Sequence, residues 1–290
     1  MSDIKKLNTI KKIKKDGSVC KVEYNNKTYL LKKYNKSFFS FFRLKKEVKV
    51  SKALDKKPEI NVPSVIKHDE NNVLFEYIDN KELEQNDRKI AAKKLAEFHN
   101  CNIKLNRNIK NRFLDILINK PYFALQRILI LNIFKLGLKN YFKIQVLLNK
   151  LKKKQKEFNK LFLLHNDFYK NNVLMTENKE VYFCDLESVV KDSKWFMIDV
   201  VKYSATKPYF YDLDKDFIKS YLKELKNSYK DVYKKLNTKA QIRLALILYL
   251  TRKLKNTKKY KNTKNFLTET LLDDKKYNKW FNKEIKPIIP

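Results

Sequence analysis

The spacing of hydrophobic and polar positions changes near residue 80. Before it, short apolar runs such as SVCKVEY, KTYLLKKY and NVLFEYI lie between turn-forming pairs, Asp16-Gly17 and Asn25-Asn26. Runs of this length, rich in β-branched and aromatic residues, are typical of strands joined by tight turns. The pattern predicts a small antiparallel sheet in the N-terminal part of the chain.

One helix is predicted to interrupt this sheet. Between Arg43 and Leu54, the side chains of Glu47, Val50 and Leu54 recur at helical spacing. Residues three or four positions apart share one side of a helix, so Glu47 points to the same side as the apolar residues. A carboxylate on the apolar side of a helix is a candidate functional group.

Beyond residue 86 apolar residues repeat every three or four positions, which predicts helices. Asn86 or Asp87 is the predicted cap of a helix that runs to His99. Further helices are predicted over 113–135, 141–160, 214–229 and 239–254. The segment 162–187 is the exception and predicts short strands around a polar loop. We therefore expect an α+β fold with an N-terminal lobe over 1–80 and a larger, mainly helical lobe over 81–290.

Composition excludes several classes of protein. With 43% hydrophobic and 34% charged residues the chain is neither disordered nor fibrous. Its two glycines, Gly17 and Gly137, are far apart, which excludes a dinucleotide-binding GxGxxG turn and a Walker A loop.

The formal net charge is +34, from 66 Lys and Arg against 32 Asp and Glu. Such a charge attracts nucleic acid, an anionic membrane surface or a phosphorylated substrate. Because the lysines are spread along the whole chain, the charge is equally explained by the codon usage of an A+T-rich genome. A nucleic-acid partner is disfavoured, since the sequence has no recognised binding module and no concentrated basic and aromatic surface.

The sequence also bears on location. Cys20, Cys101 and Cys184 are odd in number and contain no CxxC pair, which indicates a reducing compartment and excludes a zinc site. The first residues, MSDIKKLN, contain no apolar signal region. Charged residues interrupt the apolar stretch from Phe123 to Phe142, which predicts a packed or interfacial helix. We expect a cytoplasmic protein, peripheral at the inner face of the membrane if it binds lipid.

The polar loop in the segment 162–187 carries the candidate chemistry. His165, Asp167 and Asn172 form the pattern HxDxxxxN, and Asp185 follows an apolar run thirteen residues after Asn172. Phosphoryl transfer to a hydroxyl needs a carboxylate near the attacking oxygen and oxygen ligands for Mg²⁺. Asp167 can serve as the first, and Asn172 and Asp185 as the second.

Two further groups occur in the order that a kinase requires. Lys32 ends an apolar strand, and Glu47 follows on the next helix as its predicted ion-pair partner. Strand alternation allows only one of Lys32 and Lys33 to face the phosphates. We favour Lys32, because it directly follows the apolar run. Upstream, Gly17 and Ser18 belong to a tight turn that can cover the phosphates.

With these residues the chain resembles the protein-kinase-like phosphotransferases of the aminoglycoside phosphotransferase, choline kinase and lipopolysaccharide-core kinase group. The resemblance covers residues from about 10 to 200. It implies a two-lobed fold with ATP in the cleft, Asp167 as catalytic base, and Asn172 and Asp185 as Mg²⁺ ligands. It also implies that Lys32 and Glu47 lie at the phosphates.

The same resemblance assigns supporting residues. Asp199 matches the aspartate that braces the catalytic loop from the following helix, and His165 supports that loop. His99 matches a histidine at a helix end, for which core packing is the simpler role. The connector from Phe75 to Ile78 includes Glu76 and Ile78 as candidate nucleotide-binding positions.

The sequence departs from the group's pattern in informative places. Asn166 stands where glycine is common, and asparagine tolerates unusual backbone angles. Tyr169 stands where a protein-serine kinase has lysine, and only thirteen residues separate Asp185 from Asp199. An activation segment does not fit there. Glu187 either adds charge near the metals, contacts the acceptor or forms a salt bridge.

We therefore predict an ATP- and Mg²⁺-dependent kinase acting on a hydroxyl of a small molecule or saccharide, such as a lipopolysaccharide-core sugar. The alternatives are an aminoglycoside or choline-type kinase, a protein kinase, and a noncatalytic module that binds anionic surfaces. The aromatic cluster Phe38–Phe42, flanked by cations, is either a membrane contact or packing between the sheet and the helix that carries Glu47.

Overall fold

The structure, a computed structural model, describes residues 4, 7–14, 16, 18–104, 120–205, 213–254 and 261–290. The chain divides into two compact units that alternate along the sequence. The first unit comprises Met1–Asp87, Ile103–Asn106 and Asn171–Val189, and the second comprises Arg88–Asn102, Arg107–Lys170 and Val190–Pro290. The boundary between residues 1–80 and 81–290 stays a prediction.

The first unit contains the predicted antiparallel sheet. Its strands are β1 (Asn8–Lys12), β2 (Val19–Tyr24), β3 (Lys27–Lys33), β4 (Val65–His68) and β5 (Asn72–Glu76), in the order β1-β2-β3-β5-β4. The turn between β2 and β3 is formed by Asn25 and Asn26, whose φ angles are 49° and 57°. Two residues with positive φ give the hairpin turn that matches the twist of the strands.

Helix α1 (Phe38–Leu54) packs on this sheet. Leu44 and Val48 of the helix form an apolar cluster with Val73 and Phe75 of β5. The helix begins five residues before the predicted start at Arg43, because Ser37 caps it by accepting a hydrogen bond from the Ser40 N–H. Glu47 thus lies near the middle of a helix of seventeen residues, which fixes its position.

A hairpin from later in the chain completes the first unit. Strands β7 (Val173–Met175) and β8 (Val181–Phe183) pair antiparallel. Single bridges link this hairpin to the rest of the unit, between Asn61 and Tyr182 and between Lys81 and Met175. The strands predicted within 162–187 are therefore present, and those that flank the metal-ligand candidates belong to the unit that carries Lys32.

The second unit is mainly helical. Among its described residues, β6 (Phe162–Leu164) and β9 (Val190–Asp192) pair as a small antiparallel sheet. After α2 (Gln85–Asn100), which crosses from the first unit, its α-helices are α3 (Pro121–Leu131), α4 (Ile133–Leu136), α5 (Leu138–Lys154), α6 (Met197–Ser204), α7 (Lys215–Ser228), α8 (Lys230–Lys235), α9 (Thr238–Lys253), α10 (Lys261–Asn265) and α11 (Asp274–Glu284). Helix α9 packs against α6 and α3 and is buried from Ala240 to Thr251, which places it in the core of the second unit.

Several predicted helix bounds were wrong, for physical reasons. Helix α2 begins at Gln85, because the Asp87 side chain reaches back to the Glu84 N–H and belongs to the first turn. The predicted helix 113–135 lies outside the described residues up to 119, and then ends at Leu131. There the Asn132 amide donates to the Ile128 carbonyl, and the chain bends twice before α5.

The second bend occurs at Gly137, where φ is 78° and nothing lies within 4 Å of an added Cβ atom. Glycine adopts this left-handed conformation without steric cost, so the position suits it. Helix α5 consequently starts at Leu138 and ends at Lys154, six residues before the predicted end. Within the described residues, no helix combines the length and the hydrophobicity that crossing a membrane requires.

Candidate active site

Four charged side chains meet in the first unit. The Lys32 Nζ atom lies 2.8 Å from Glu47 Oε2, 2.5 Å from Asp185 Oδ1 and 3.4 Å from Glu187 Oε2. Glu47 is only 2% exposed and Lys32 13%. Lys33, the next residue on β3, is exposed. The structure thus brings Lys32 together with Glu47, and alternation along the strand turns Lys33 to the other face.

Three carboxylates around one ammonium explain the electrostatics of this cluster. Burial alone would lower the pKa of Lys32, but the charges of Glu47, Asp185 and Glu187 outweigh it and raise the pKa above its ordinary value. Burial raises the pKa of Glu47 to about 7, although the Lys32 charge opposes the shift. Lys32 is therefore a permanent cation, and Glu47 takes up a proton more easily than an ordinary glutamate.

The hairpin of β7 and β8 sets the position of Asp185. The Cys184 N–H donates to the Asn172 carbonyl at 3.1 Å, which continues the ladder in which Val173 faces Phe183. Asn172 and Asp185 therefore occupy neighbouring ends of the two strands. Asp185 itself has a φ of 62°, a left-handed conformation that turns the chain into a short 3₁₀ helix containing Glu187.

The donor chemistry of this cluster fits a hard divalent cation. One carboxylate oxygen each from Glu47, Asp185 and Glu187 lies within 4.8 Å of the others. Oxygen donors are the ligands that Mg²⁺ prefers, and the cluster contains neither histidine nor cysteine ligands typical of zinc. Of the predicted ligand pair, Asp185 belongs to this group and Asn172 is joined to it through the hairpin.

The predicted phosphate cover is described in part. Gly17 lies outside the described residues. Asp16 Oδ1 accepts hydrogen bonds from the Ser18 N–H at 3.0 Å and from the Ser18 hydroxyl at 2.8 Å. These bonds stabilise a turn before β2, and the bond from the Ser18 N–H is the main reason that the pKa of Asp16 is lowered. The Lys33 N–H also donates to the Ser18 carbonyl at 2.7 Å, so this turn is fixed to β3.

The connector after β5 borders a cavity of about 340 Å³. Ile78 is buried and lines this cavity, whereas Glu76 is exposed at the end of β5. The lining comes from the connector and from the β7–β8 hairpin: Tyr77, Ile78, Asp79, Asn80, Thr176, Glu177, Asn178 and Tyr182. Of the two candidate nucleotide positions on the connector, Ile78 therefore contacts a concave surface and Glu76 does not line it.

The loop that carries Asp167 lies in the second unit and is held by Asp199. The two oxygens of Asp199 accept hydrogen bonds from the backbone N–H groups of His165, at 2.7 Å, and Asn166, at 2.9 Å. Asn166 has a φ of 61°, so asparagine takes the unusual conformation expected from its position. His165 itself is fully buried. The turn before Asp167 is thus fixed by a carboxylate on α6.

A buried hydrogen-bond network extends behind Asp199. His99 Nε2 lies 3.2 Å from Asp199 Oδ2, and His99 Nδ1 lies 2.6 Å from the Tyr221 hydroxyl. Burial alone would raise the pKa of Asp199, but the hydrogen bond from His99 and the charges of His99 and Lys202 outweigh it and lower the pKa. His99 therefore does more than pack in the core, because it links α2 to Asp199, the carboxylate that holds the Asp167 loop.

Sequence reasoning missed a second contact to this loop. The ammonium of Lys202 on α6 donates to the Asn166 carbonyl, and its Nζ atom lies 5.9 Å from the centre of the Tyr169 ring. Burial, reinforced by the charge of Arg252, lowers the pKa of Lys202 to about 7, although Asp199 and Asp167 oppose the shift. Its position three residues after Asp199, on the same helix face, was the available sequence signal.

Two more residues of the first cluster were missed. The Tyr34 hydroxyl donates to Glu47, and Arg43 Nη1 lies 3.8 Å from Glu187 Oε1. Tyr34 follows Lys32 by two positions, so strand alternation places both on one face. Glu187 thus forms salt bridges to Lys32 and to Arg43. A salt bridge was one of the three roles predicted for this residue.

An antiparallel N-terminal sheet with one packed helix, followed by a mainly helical part, is the fold of the protein-kinase-like phosphotransferases. The predicted fold class is confirmed, and so is the predicted resemblance to choline kinases and aminoglycoside phosphotransferases. The resemblance to lipopolysaccharide-core kinases stays a prediction. No protein-family model matches the sequence, and no curated protein matches it either.

Solved structures with this fold include three kinases. The chain is similar to ethanolamine kinase from Plasmodium vivax, with 16% identity over 96% of this chain and 85% of that one, and a TM-score of 0.64. It is similar to choline kinase from Cryptosporidium parvum, with 16% identity over 98% of this chain and 92% of that one, and a TM-score of 0.62. The third structure is an ADP-bound aminoglycoside phosphotransferase, with 18% identity over 92% of this chain and 93% of that one, and a TM-score of 0.61. At these identities the comparison establishes the fold.

Proposed function

We propose that this protein is an ATP-dependent kinase that transfers the γ-phosphoryl group to a hydroxyl of a small molecule or saccharide. The observation that carries the proposal is the contact of Lys32 with both Glu47 and Asp185. These residues come from a strand, a helix and a later hairpin, and kinases need such a group to hold nucleotide phosphates. A module that only binds anionic surfaces has no need of three carboxylates, one of them buried, around its lysine.

In the proposed reaction the acceptor oxygen attacks the γ-phosphorus, the bond from that phosphorus to the β–γ bridging oxygen breaks, and ADP leaves. Asp167 orients the acceptor hydroxyl and accepts its proton. Lys32 contacts the nucleotide phosphates, and Glu47 keeps the Lys32 ammonium in position. When bound by Asn172 and Asp185, Mg²⁺ supplies the charge that neutralises the phosphate oxygens.

The remaining candidates have supporting roles in this proposal. In this proposal Gly17 and Ser18 cover the phosphates, while Glu76 and Ile78 border the adenine of ATP. His165 and Asp199 keep the Asp167 loop in one conformation, which matters because a misplaced base loses much of its effect. The cavity beside Ile78 and the two hydrogen bonds to Asp199 support these roles.

The acceptor is the open part of the proposal. Ethanolamine kinase, choline kinase and aminoglycoside phosphotransferase are named for acceptors that carry amino or quaternary ammonium groups. The charge of +34 instead favours an anionic acceptor, such as a lipopolysaccharide-core saccharide in the cytoplasm. The guanidinium of Arg252, which interacts with Tyr169 two positions after Asp167, agrees with that choice.

The test is an ATP-consumption screen with Mg²⁺ against four acceptor classes: aminoglycosides, choline and ethanolamine, neutral sugars, and acidic lipid-linked saccharides. Asp167→Asn and Asp185→Ala are the inactive controls. We expect turnover with one class and none with either variant. If no class raises ATP consumption above the Asp185→Ala background while the parent is folded, the proposed kinase activity is wrong.

A protein kinase is the second candidate, disfavoured by the thirteen residues between Asp185 and Asp199. Incubation with radiolabelled ATP and Mg²⁺, alone and with basic model substrates, tests it directly. Label that enters protein, and is lost in Asp167→Asn, would favour this alternative.

A further inference from the structure

Helices α3, α4 and α5 form a helical hairpin in the second unit. The side chains of Gln126 on α3 and Gln145 on α5 exchange two hydrogen bonds of 2.9 and 2.8 Å. Nearer the open end, Lys152 Nζ lies 5.2 Å from the Tyr122 ring centre. These pairs show that α3 and α5 run antiparallel, so the residues between them, around α4, form the tip of the hairpin.

This hairpin exposes large apolar side chains at and near its tip. We call these residues the apolar tip: Ile130, Leu131, Phe134, Leu138, Phe142 and Val146. Phe134 is 97% exposed and the other five are at least 56% exposed. Single exposed apolar residues are ordinary, but six within seventeen positions form a patch of the kind that marks an interaction site.

The exposed residues are not needed to attach the hairpin to the core. Its inward side already buries a separate apolar set, namely Ala124, Leu125, Ile128, Leu129, Leu136, Ile144, Leu147, Leu148 and Leu151. The Asn132 amide also lies 3.5 Å from the Thr251 carbonyl on α9, which fixes the tip to the central helix. The tip is therefore a supported surface whose six exposed apolar residues are not part of that core.

The charge of the hairpin identifies the partner. Residues 120–156 contain no Asp or Glu, although the whole chain has 32. They contain ten cations: Lys120, Arg127, Lys135, Lys139, Lys143, Lys150, Lys152, Lys153, Lys154 and Lys156. Lys135, Lys139 and Lys143 are exposed and alternate with the apolar tip residues. Apolar side chains among cations match an anionic bilayer surface, where rings enter the interface and lysines meet lipid phosphates.

A second copy of this chain fits the surface less well, because two such tips would bring Lys135, Lys139 and Lys143 of both copies together without a carboxylate between them. An acidic groove on another protein would complement the lysines, but it would not bury six protruding apolar side chains. A spanning arrangement is ruled out for these helices, since none of them is long enough.

We propose that the apolar tip of the α3–α5 hairpin is a docking surface for anionic membrane, which the tip enters to the depth of the headgroups. Phe134, Leu138 and Phe142 supply the apolar insertion, and Lys135, Lys139 and Lys143 contact the lipid phosphates. This surface shares no residue with the Lys32 cluster, and its test does not depend on kinase activity.

The test is co-sedimentation of the full chain with vesicles of phosphatidylcholine alone and of phosphatidylcholine with phosphatidylglycerol, at low and at moderate salt. We expect binding to the anionic vesicles that weakens but persists at moderate salt, because screening acts on the lysines and not on apolar insertion. Phe134→Ser/Leu138→Ser/Phe142→Ser should lower the partition coefficient at least about tenfold.

Matched variants separate this surface from general effects. Ile10→Ser/Ile13→Ser/Ile66→Ser removes three exposed apolar residues elsewhere and should leave binding unchanged. Lys135→Glu/Lys139→Glu/Lys143→Glu should abolish binding at moderate salt. Lys275→Glu/Lys276→Glu/Lys279→Glu, with the same change in net charge on α11, should reduce binding only slightly. Circular dichroism establishes that each variant is folded.

A fluorescence measurement reports insertion directly. Phe134→Trp should shift its emission to the blue and resist acrylamide quenching when anionic vesicles are added, whereas Leu161→Trp, at another exposed apolar position, should not. The proposal is overturned if the parent fails to bind anionic vesicles at low salt. It is also overturned if the two charge variants bind equally, or if the serine variant at the tip retains vesicle binding and only abolishes self-association or capture of an acidic protein.

Discussion

The Asp199 carboxylate accepts a hydrogen bond from the backbone N–H of Asn166, 33 positions earlier in the chain, at 2.9 Å. Asn166 is in a left-handed conformation, which asparagine tolerates better than most non-glycine residues. The conformation persists because the surrounding contacts oppose its relaxation: Asp199 bonds two N–H groups and Lys202 bonds the Asn166 carbonyl. The turn before Asp167 is thus determined by α6.

We predict that Asp199→Asn destabilises the protein and disables the loop. An amide has one acceptor oxygen, so one of the two N–H groups loses its partner and the amide NH₂ faces a donor. The expected loss is about 2 kcal/mol or more in the free energy of unfolding, measured with denaturant. Asp231→Asn, at an exposed position on α8, is the control and should cost a few tenths of a kcal/mol at most. Equal stability of the two variants would contradict this account of the loop.

A second prediction separates catalysis from nucleotide binding. Asp167→Asn should lower turnover on the true acceptor by about 10²–10⁴-fold, because the base is lost, and should leave ATP affinity nearly unchanged. Asp185→Ala should weaken Mg·ATP binding as well. Steady-state kinetics and calorimetric titration of ATP measure the two effects. Parent-like turnover by Asp167→Asn would mean that another residue is the base.

A third prediction uses neighbouring lysines. Lys32→Met leaves Glu47, Asp185 and Glu187 without their shared cation, so the cluster repels itself and ATP affinity falls steeply. Lys33→Met removes the adjacent, exposed lysine with the same chemical change and should behave like the parent. Calorimetric ATP binding and thermal unfolding provide the comparison. If Lys33→Met proved the more damaging variant, the assignment of the phosphate lysine would be reversed.

The donor set gives a fourth prediction. Because the carboxylates of the cluster and the Asn172 side chain offer hard oxygen donors, activity should vanish with EDTA and return with Mg²⁺ or Mn²⁺. Zinc should not restore it, since the cluster contains no imidazole or thiolate. ATP consumption measured after chelation and after each metal addition makes the comparison, and full recovery with zinc alone would contradict the ligand assignment.

The fifth prediction concerns Lys202 and pH. The pKa of Lys202 is about 7 in the folded protein, against an ordinary value of 10.5. Between pH 7 and pH 10.5, Lys202 is therefore protonated in the unfolded chain and mostly neutral in the folded protein. The parent should therefore gain stability as pH rises from about 7, by an amount of order 2 kcal/mol up to pH 9 relative to Lys202→Met. Lys223→Met, at an exposed position, should show no such pH-dependent difference. Denaturant unfolding at several pH values measures both.

The N-terminal sheet could be predicted because its signals are local. Each strand is a short apolar run, and the Asn25-Asn26 pair supplies the two left-handed residues that its hairpin requires. The pairing of Lys32 with Glu47 was predictable from the register of one strand and the face of one helix. Asn166 was predictable as an unusual backbone position from its place in the loop.

Other features depended on contacts that periodicity does not encode. The apolar pattern continues through Asn132, so the bend there was missed and the predicted helix 113–135 ran past it, whereas Gly137 lies in the gap between the predicted helices 113–135 and 141–160. Lys202 was missed because a lysine on a helix is usually solvated, and only the fold shows that its ammonium lies beneath the loop. For the aromatic cluster Phe38–Phe42, Phe41 is partly exposed and the side chains of Phe38 and Phe39 lie outside the described residues.

The interleaving of the two units has a consequence for synthesis on the ribosome. A nascent chain that ends near residue 104 contains Lys32 and Glu47 but not the Asn171–Val189 segment of the same unit. At about 5–20 residues per second, that segment follows on the order of ten seconds later. Until then the Lys32 and Glu47 pair lacks Asp185 and the β7–β8 hairpin that borders the connector. The first unit therefore cannot finish folding cotranslationally before much of the second has been made, and a truncated N-terminal fragment should not be expected to bind nucleotide.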